Sequence, residues 1–257
     1  MKKEKTQEKK VKDFVKERYA KMAREEKGER CCCKGASLLE AAQAVGYSFE
    51  ELKQIPQSAI MGLGCGNPVA LASLRKGERV LDLGSGGGID VFLAANRVGD
   101  EGLVVGLDMT EEMIKKAKEN AKKGGYKNVA FRLGEIENLP VKNEAFDVII
   151  SNCVINLSPD KPKVFKEAYR VLKPGGRLMI SDIATEKVLP DEVRKSFDAW
   201  AKCIAGALTK KNYLDAIKKA GFENIKIVSE QVFSEKGLSQ QIKGTIISVK
   251  VSAFKPK

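Results

Sequence analysis

The chain of 257 residues contains no histidine. That absence excludes a Ser-His-Asp triad, a Cys-His pair and any imidazole metal ligand. A general base would have to be a carboxylate, lysine, tyrosine or cysteine. Aromatic residues make up only 6%, with a single tryptophan. No apolar run approaches the ~20 residues that span a bilayer. The Lys-rich start, MKKEKTQEKK, lacks the apolar core of a secretory signal. A cytoplasmic location is therefore expected. Cysteine is sparse: Cys31, Cys32, Cys33, Cys65, Cys153 and Cys203. They form neither a secreted disulfide framework nor a paired CxxC zinc site.

What is present is an ordinary globular composition, 43% hydrophobic and 31% charged. The net charge is +12, and residues 1–34 carry half of it, with 13 Lys+Arg against 7 Asp+Glu. No aromatic residues interleave with the first ten, so this reads as a solvated face rather than a nucleic-acid surface. Val11, Phe14, Val15, Tyr19 and Met22 recur at helical spacing, which predicts a helix over about 10–26. Residues 1–46 are expected to form a helical, cysteine-bearing extension, and 47–257 the main domain.

From residue 79 onward, apolar strands alternate with helices. Strands are predicted at 79–83, 103–107, 129–133, 146–151, 177–182, 225–229 and 245–254. Helices are predicted at 89–98, 110–123, 161–172, 190–206 and 209–220. This rhythm implies an α/β fold with a mostly parallel sheet covered on both faces. Such sheets bind ligands beyond the C-terminal ends of their strands.

The first strand tip carries Asp82-Leu83-Gly84-Ser85-Gly86-Gly87-Gly88. Glycine permits positive φ and close backbone approach to a ligand. Ile89 stands where the dinucleotide fingerprint needs its third glycine, and no GxxxxGK[ST] loop is present. The loop therefore suits a nucleoside without a pyrophosphate. Asp108 follows at the second tip, placed to accept ribose hydroxyls. At the third tip, Glu135 could accept adenine amino hydrogens and Ile136 could cover the ring.

These segments resemble the class I S-adenosylmethionine-dependent methyltransferases: VLDLGSGGG at 80–88, VVGLDM at 104–109, LGEIENLP at 133–140, FDVIISN at 146–152 and VLKPGGRLMISD at 171–182. The resemblance implies a Rossmann-like seven-stranded sheet, here with an N-terminal helical extension and a helical insertion after strand 5. It also implies S-adenosylmethionine as cofactor. Asp82, Gly84, Ser85, Gly86 and Gly88 would hold its methionine end, Asp108 and Met109 its ribose, and Glu135 and Ile136 its adenine.

The fourth tip is Ser151-Asn152-Cys153, where the reactive methyl should point. It offers a thiol instead of a base, with Asn152 beside the methyl path. Cys65 lies in a glycine-dense loop and Cys203 in the helical insertion, so the three could meet only through the fold. Three thiolates suit a thiophilic centre such as trivalent arsenic, whose lone pair carries no proton and needs no general base.

The chain is indeed similar to the arsenite methyltransferases over roughly 47–230. The matching segments are GLGCGNPVALASLRKGERVLDLGSGGGIDVFLAA at 62–95, SNCVINLSPDKPKVFKEAYRVLKPGGRLMISDI at 151–183 and CIAGALT at 203–209. That likeness implies that Cys65, Cys153 and Cys203 bind arsenic and that Cys31, Cys32 and Cys33 relay it or act in redox. It implies arsenite or its glutathione conjugate as substrate, and a glutathione or thioredoxin system as reductant. It implies arsenic detoxification as the role, with no nucleic-acid or membrane partner. The alternatives are a methyltransferase of an organic small molecule and an arsenic-sensing binding protein.

Overall fold

A computed structural model describes residues 2–25, 37–233, 242 and 244–257, with the side chains of 2–5 left aside. Cys31, Cys32 and Cys33 lie outside the described residues. The helices are α1 (Lys2–Arg24), α2 (Leu38–Ala44), α3 (Phe49–Lys53), α4 (Pro68–Leu71), α5 (Ile89–Val98), α6 (Glu111–Lys123), α7 (Lys161–Val171), α8 (Asp191–Lys195), α9 (Phe197–Ala201) and α10 (Lys210–Lys219). The strands are β1 (Arg79–Leu83), β2 (Leu103–Asp108), β3 (Val129–Leu133), β4 (Phe146–Asn152), β5 (Leu172–Thr185), β6 (Glu223–Val232) and β7 (Ile246–Phe254).

The seven strands form one sheet in the order β3-β2-β1-β4-β5-β7-β6. β1 to β5 run parallel, β7 lies antiparallel to β5, and β6 antiparallel to β7. Strand alternation splits the core. Leu81, Leu83, Leu107 and Ile149 face Phe165, Val171 and Ile217 of α7 and α10. Val80, Val104, Val148 and Ile150 face Val91, Phe92, Ile114 and Ala117 of α5 and α6. Each large apolar side chain so buried contributes about 1.5–3 kcal/mol.

A third apolar cluster lies over the C-terminal end of the sheet and contains Val11, Val15, Cys65, Cys153, Cys203 and Ile246. Helix α1 thus belongs to the body of the molecule. Its Lys-rich face is solvated, but its Val11–Val15 stripe is covered. It also starts earlier than the apolar spacing predicts, because the lysines before Val11 continue the helix without needing a partner surface.

The interior strands fall where periodicity places them. The ends differ. β5 begins at Leu172 rather than at 177, because the intervening residues 173–176 also pair: Gly175 donates to Lys255 O at 3.0 Å and Lys255 to Gly176 O at 2.9 Å. The predicted helix over 190–206 is two short ones, with the chain turning at Ser196, whose side chain caps α9. Among the described residues, no helix is long and apolar enough to cross a membrane.

Candidate active site

A cavity of about 570 Å³ opens at the C-terminal ends of β1, β2, β3 and β4. That volume is in the range of small-molecule sites. Its lining includes Gly84, Ser85, Gly86, Asp108, Met109 and Ile136, and also Cys65, Asn152, Cys153 and Cys203. One cavity therefore joins the glycine loop to the three cysteines.

The glycine loop is held open by backbone geometry. Gly84 and Gly86 have φ of 71° and 50°, and a Cβ at Gly84 would enter the Val154 side chain. Gly86 N–H donates to Asp108 Oδ2 at 3.0 Å, and Thr110 N–H to Asp108 Oδ1 at 2.9 Å. Asp108 thus ties the first two tips together, and burial raises its pKa. Ser85 lines the cavity, but its hydroxyl is buried against Gly106 of β2. The open glycine backbone of residues 84–86, with the Asp108 carboxylate beside it, fits a polar ligand.

Three of the expected cofactor residues stand elsewhere. Asp82 lies behind the loop on the α5 side of the sheet and does not line the cavity. Gly88 begins α5 and is packed on the Phe92 ring. Glu135 is turned outward, 55% exposed, and is paired with Lys12 at 2.8 Å. The tight turn that bridges Glu135 to Asn138 sends Glu137 inward instead. Glu137 accepts from Ser158 Oγ at 2.6 Å and pairs with Lys12 at 2.9 Å. Through Lys12, Tyr19 and Met22, α1 forms part of the cavity wall.

The cysteines converge. Cys65, Cys153 and Cys203 are free thiols, 6%, 9% and 5% exposed. Cys65 Sγ, Cys153 Sγ and a carboxylate oxygen of Asp182 lie within 4.8 Å of one another. Cys203 joins them by donating its thiol to Cys153 O at 2.7 Å. Hydrogen bonds that the Cys153 thiol donates toward the Cys203 and Cys65 sulfurs, together with burial, push its pKa well above the usual thiol range. Burial also raises Cys65.

The Cys65 loop has no regular structure, so side chains hold it. Cys65 N–H donates to Asn152 Oδ1 at 3.0 Å, and Cys65 O accepts from Ser248 Oγ at 2.8 Å. The glycines flanking it are required by contact. A Cβ at Gly64 would lie 2.8 Å from the Asn152 amide, and one at Gly66 2.6 Å from Ser181.

Sequence reasoning missed Asp90, Tyr47, Asp182 and Lys161. Asp90 sits in the first turn of α5, 3% exposed, with a pKa raised to about 6 by burial. Asp182 is fully buried, accepts from Tyr213 Oη at 3.1 Å, and is likewise raised to about 6 by burial. Lys161 donates to Ser158 O at 2.9 Å, and burial lowers its pKa to about 8. The signal for Asp182 was a lone acid inside an apolar strand.

A parallel sheet extended by an antiparallel β7, with a glycine loop on its first strand and a nucleoside-sized cavity at the strand tips, defines a Rossmann-like methyltransferase. Residues 74–221 match the family model described as a methyltransferase domain. An arsenite methyltransferase of Halobacterium salinarum is 41% identical over 96% of this chain and 67% of its own length. One from Aquipseudomonas alcaligenes is 39% identical over 78% of this chain and 60% of its own. The crystal structure of an arsenic(III) S-adenosylmethionine methyltransferase from Chlamydomonas reinhardtii superposes with a TM-score of 0.69. It is 36% identical and covers 85% of this chain and 74% of its own. The chain belongs to the arsenite methyltransferase family of S-adenosylmethionine-dependent methyltransferases. It spans about two thirds or less of the length of these curated relatives.

Proposed function

We propose that this protein transfers methyl groups to trivalent arsenic held by Cys65, Cys153 and Cys203, as a cytoplasmic detoxifying enzyme. The observation that carries the reading is the convergence of three buried thiols on the cavity lined by the glycine loop. Gly84, Ser85 and Gly86 would hold the methionine end of S-adenosylmethionine, and Asp108 with Met109 the ribose. Ile136 would pack on the adenine. Glu137, rather than Glu135, faces that end of the cavity. When bound, the cofactor supplies an electrophilic methyl group.

Raised thiol pKa values fit arsenite as substrate. The exchange As(OH)₃ + 3 RSH → As(SR)₃ + 3 H₂O is balanced, and the thiol protons leave as water on arsenic's own hydroxyls. No stable unpaired thiolate has to exist in an apolar cluster where it would be costly. A glutathione conjugate exchanges in the same way, thiol for thiol. The protein then fixes the position and lone-pair direction of arsenic, which is where proximity and alignment act. A proton acceptor is not needed, which agrees with the absence of histidine. Methylation oxidises arsenic formally by two electrons, so a thiol reductant such as glutathione or thioredoxin would return it to the trivalent state.

The test is transfer of labelled methyl from S-adenosylmethionine in the presence of arsenite, repeated with Cys153→Ser. Arsenic-dependent transfer that falls by at least 100-fold in the variant is expected. No transfer in the wild type sinks the activity. Unchanged transfer in the variant sinks the three-thiol site.

A further inference from the structure

The glycine-loop half and the cysteine half of the cavity are joined by a residue that does not line it. Tyr47 lies between α2 and α3 and is 3% exposed. Its hydroxyl donates to Asp90 Oδ1 at 2.8 Å and accepts from Asn152 Nδ2 at 2.8 Å. Asn152 Nδ2 also reaches Gly66 O at 2.7 Å and Asp90 Oδ2 at 3.2 Å. Two amide hydrogens therefore serve three acceptors, while Oδ1 holds Cys65 N–H. The amide of Asn152 is fully engaged by protein groups and acts as a joint rather than as a free ligand to a substrate.

The chain Asp90–Tyr47–Asn152–Cys65 runs unbroken from the first turn after the glycine loop to the cysteine loop. Asp90, Asn152 and Cys65 line the cavity, and Tyr47 is buried behind them, where hydrogen bonds are strong and geometry is specific. Asp90 would face the α-ammonium that S-adenosylmethionine and S-adenosylhomocysteine share, which attracts its carboxylate toward the cavity and changes what Tyr47 and Asn152 must satisfy. The loop at the other end, residues 62–67, has no regular structure, and Asn152 holds it at both Cys65 N–H and Gly66 O.

We propose that Tyr47 is a positioning residue that couples the two ligand sites: a ligand on the glycine-loop side fixes Asp90 and, through Tyr47 and Asn152, holds the Cys65 loop ready for arsenic. The inference rests on the reading that cofactor and trivalent arsenic occupy these two sides. Linkage then requires that each ligand tighten the other by the same factor.

The experiment titrates the full chain with arsenite, with and without S-adenosylhomocysteine, which binds without turnover. Trp200 is the single tryptophan and its carbonyl accepts from Cys203 N–H at 2.9 Å, so its fluorescence reports on the cysteine site. In the wild type the arsenite Kd should fall about tenfold when S-adenosylhomocysteine is present. In Tyr47→Phe the factor should drop below two. The affinity for S-adenosylhomocysteine alone should change little, while the thermal midpoint falls because the buried Asp90 carboxylate loses a donor. A purely structural tyrosine would lower the midpoint and leave the ratio intact, which overturns the proposal. So does a wild type that binds arsenite with one Kd in both conditions. A wild type that binds no arsenite at all overturns the functional reading beneath it. Amide exchange in the wild type provides a check independent of the variant's folding. S-adenosylhomocysteine should protect residues 62–67, and unchanged exchange there overturns the coupling.

Discussion

Cys153 and Cys203 share one uncommon backbone conformation and touch through it. Both are left-handed, with φ of 59° and 63°, and the Cys203 thiol is bonded to the Cys153 carbonyl. Only five non-glycine residues of the described chain have positive φ, and these are two of them. The left-handed state costs a residue with a Cβ about 1–2 kcal/mol. The fold sustains that cost at both thiols, as is common where strain serves a site.

Glycine at either position should relieve it. Cys153→Gly and Cys203→Gly are expected to be more stable than the matching alanine variants by about 0.5–1 kcal/mol, despite glycine's greater chain entropy. Thermal melting of the pairs checks this, and all four should lose arsenite binding. Alanine variants as stable as the glycine ones would remove the strain argument.

Gly64→Ala should disable the cysteine site while leaving the sheet intact. Its Cβ would collide with the Asn152 amide at a backbone φ of 108°. A loss of about 1–3 kcal/mol is expected from strain and clash. Arsenite affinity should fall at least tenfold, with cofactor affinity within threefold. Fluorescence titration of both ligands separates the two effects.

Helix α1 should govern the cofactor side. Val15 is fully buried beneath it, and Lys12 ties it to Glu135 and Glu137. Val15→Asp places a charge in that contact and is expected to raise the KM for S-adenosylmethionine about tenfold. Lys12→Ala should act more weakly, about two- to threefold, because partly exposed ion pairs contribute about 1 kcal/mol or less. Equal KM values in all three proteins would show that the helix is a bystander.

Asp182 gives a pH signature with a definite sign. Its carboxyl is raised to about 6 in the fold by burial, against about 3.9 in the unfolded chain. The native state therefore holds this proton more tightly. The contribution is fully present below about pH 4 and is lost as pH rises through 6. In Asp182→Asn that loss is absent. The melting temperature of the variant minus that of the wild type should rise from pH 4 to pH 6 and level off above. A pH-independent difference would exclude the assignment.

Much of the fold was legible because its signals are local. Alternating and continuous apolar runs marked β1 to β4, and the glycines at 84–88 marked the turn into α5. The strand-tip rule then singled out Asp108 and Cys153 without knowledge of the third dimension. Other features have no local signal. The lysines of α1 read as a solvated face, and nothing in their spacing says that Val11 and Val15 meet the cysteine cluster. Glu135 and Glu137 are two residues apart in a short turn, and only its folded geometry sends one outward and the other inward. Tyr47 is one tyrosine before a capping serine, ordinary until Asp90 and Asn152 are brought to it.

Sequence alone determined the strand–helix alternation, the glycine loop and the thiol at the fourth strand tip, since each depends on neighbours a few residues away. Tertiary structure decided that Cys65 and Cys203 join Cys153, that Asn152 is a joint, and that α1 walls the cavity. Those contacts are made between segments tens to more than a hundred residues apart. They exist only because the sheet order brings β1, β4, β5 and β7 side by side and gathers their loops at one end.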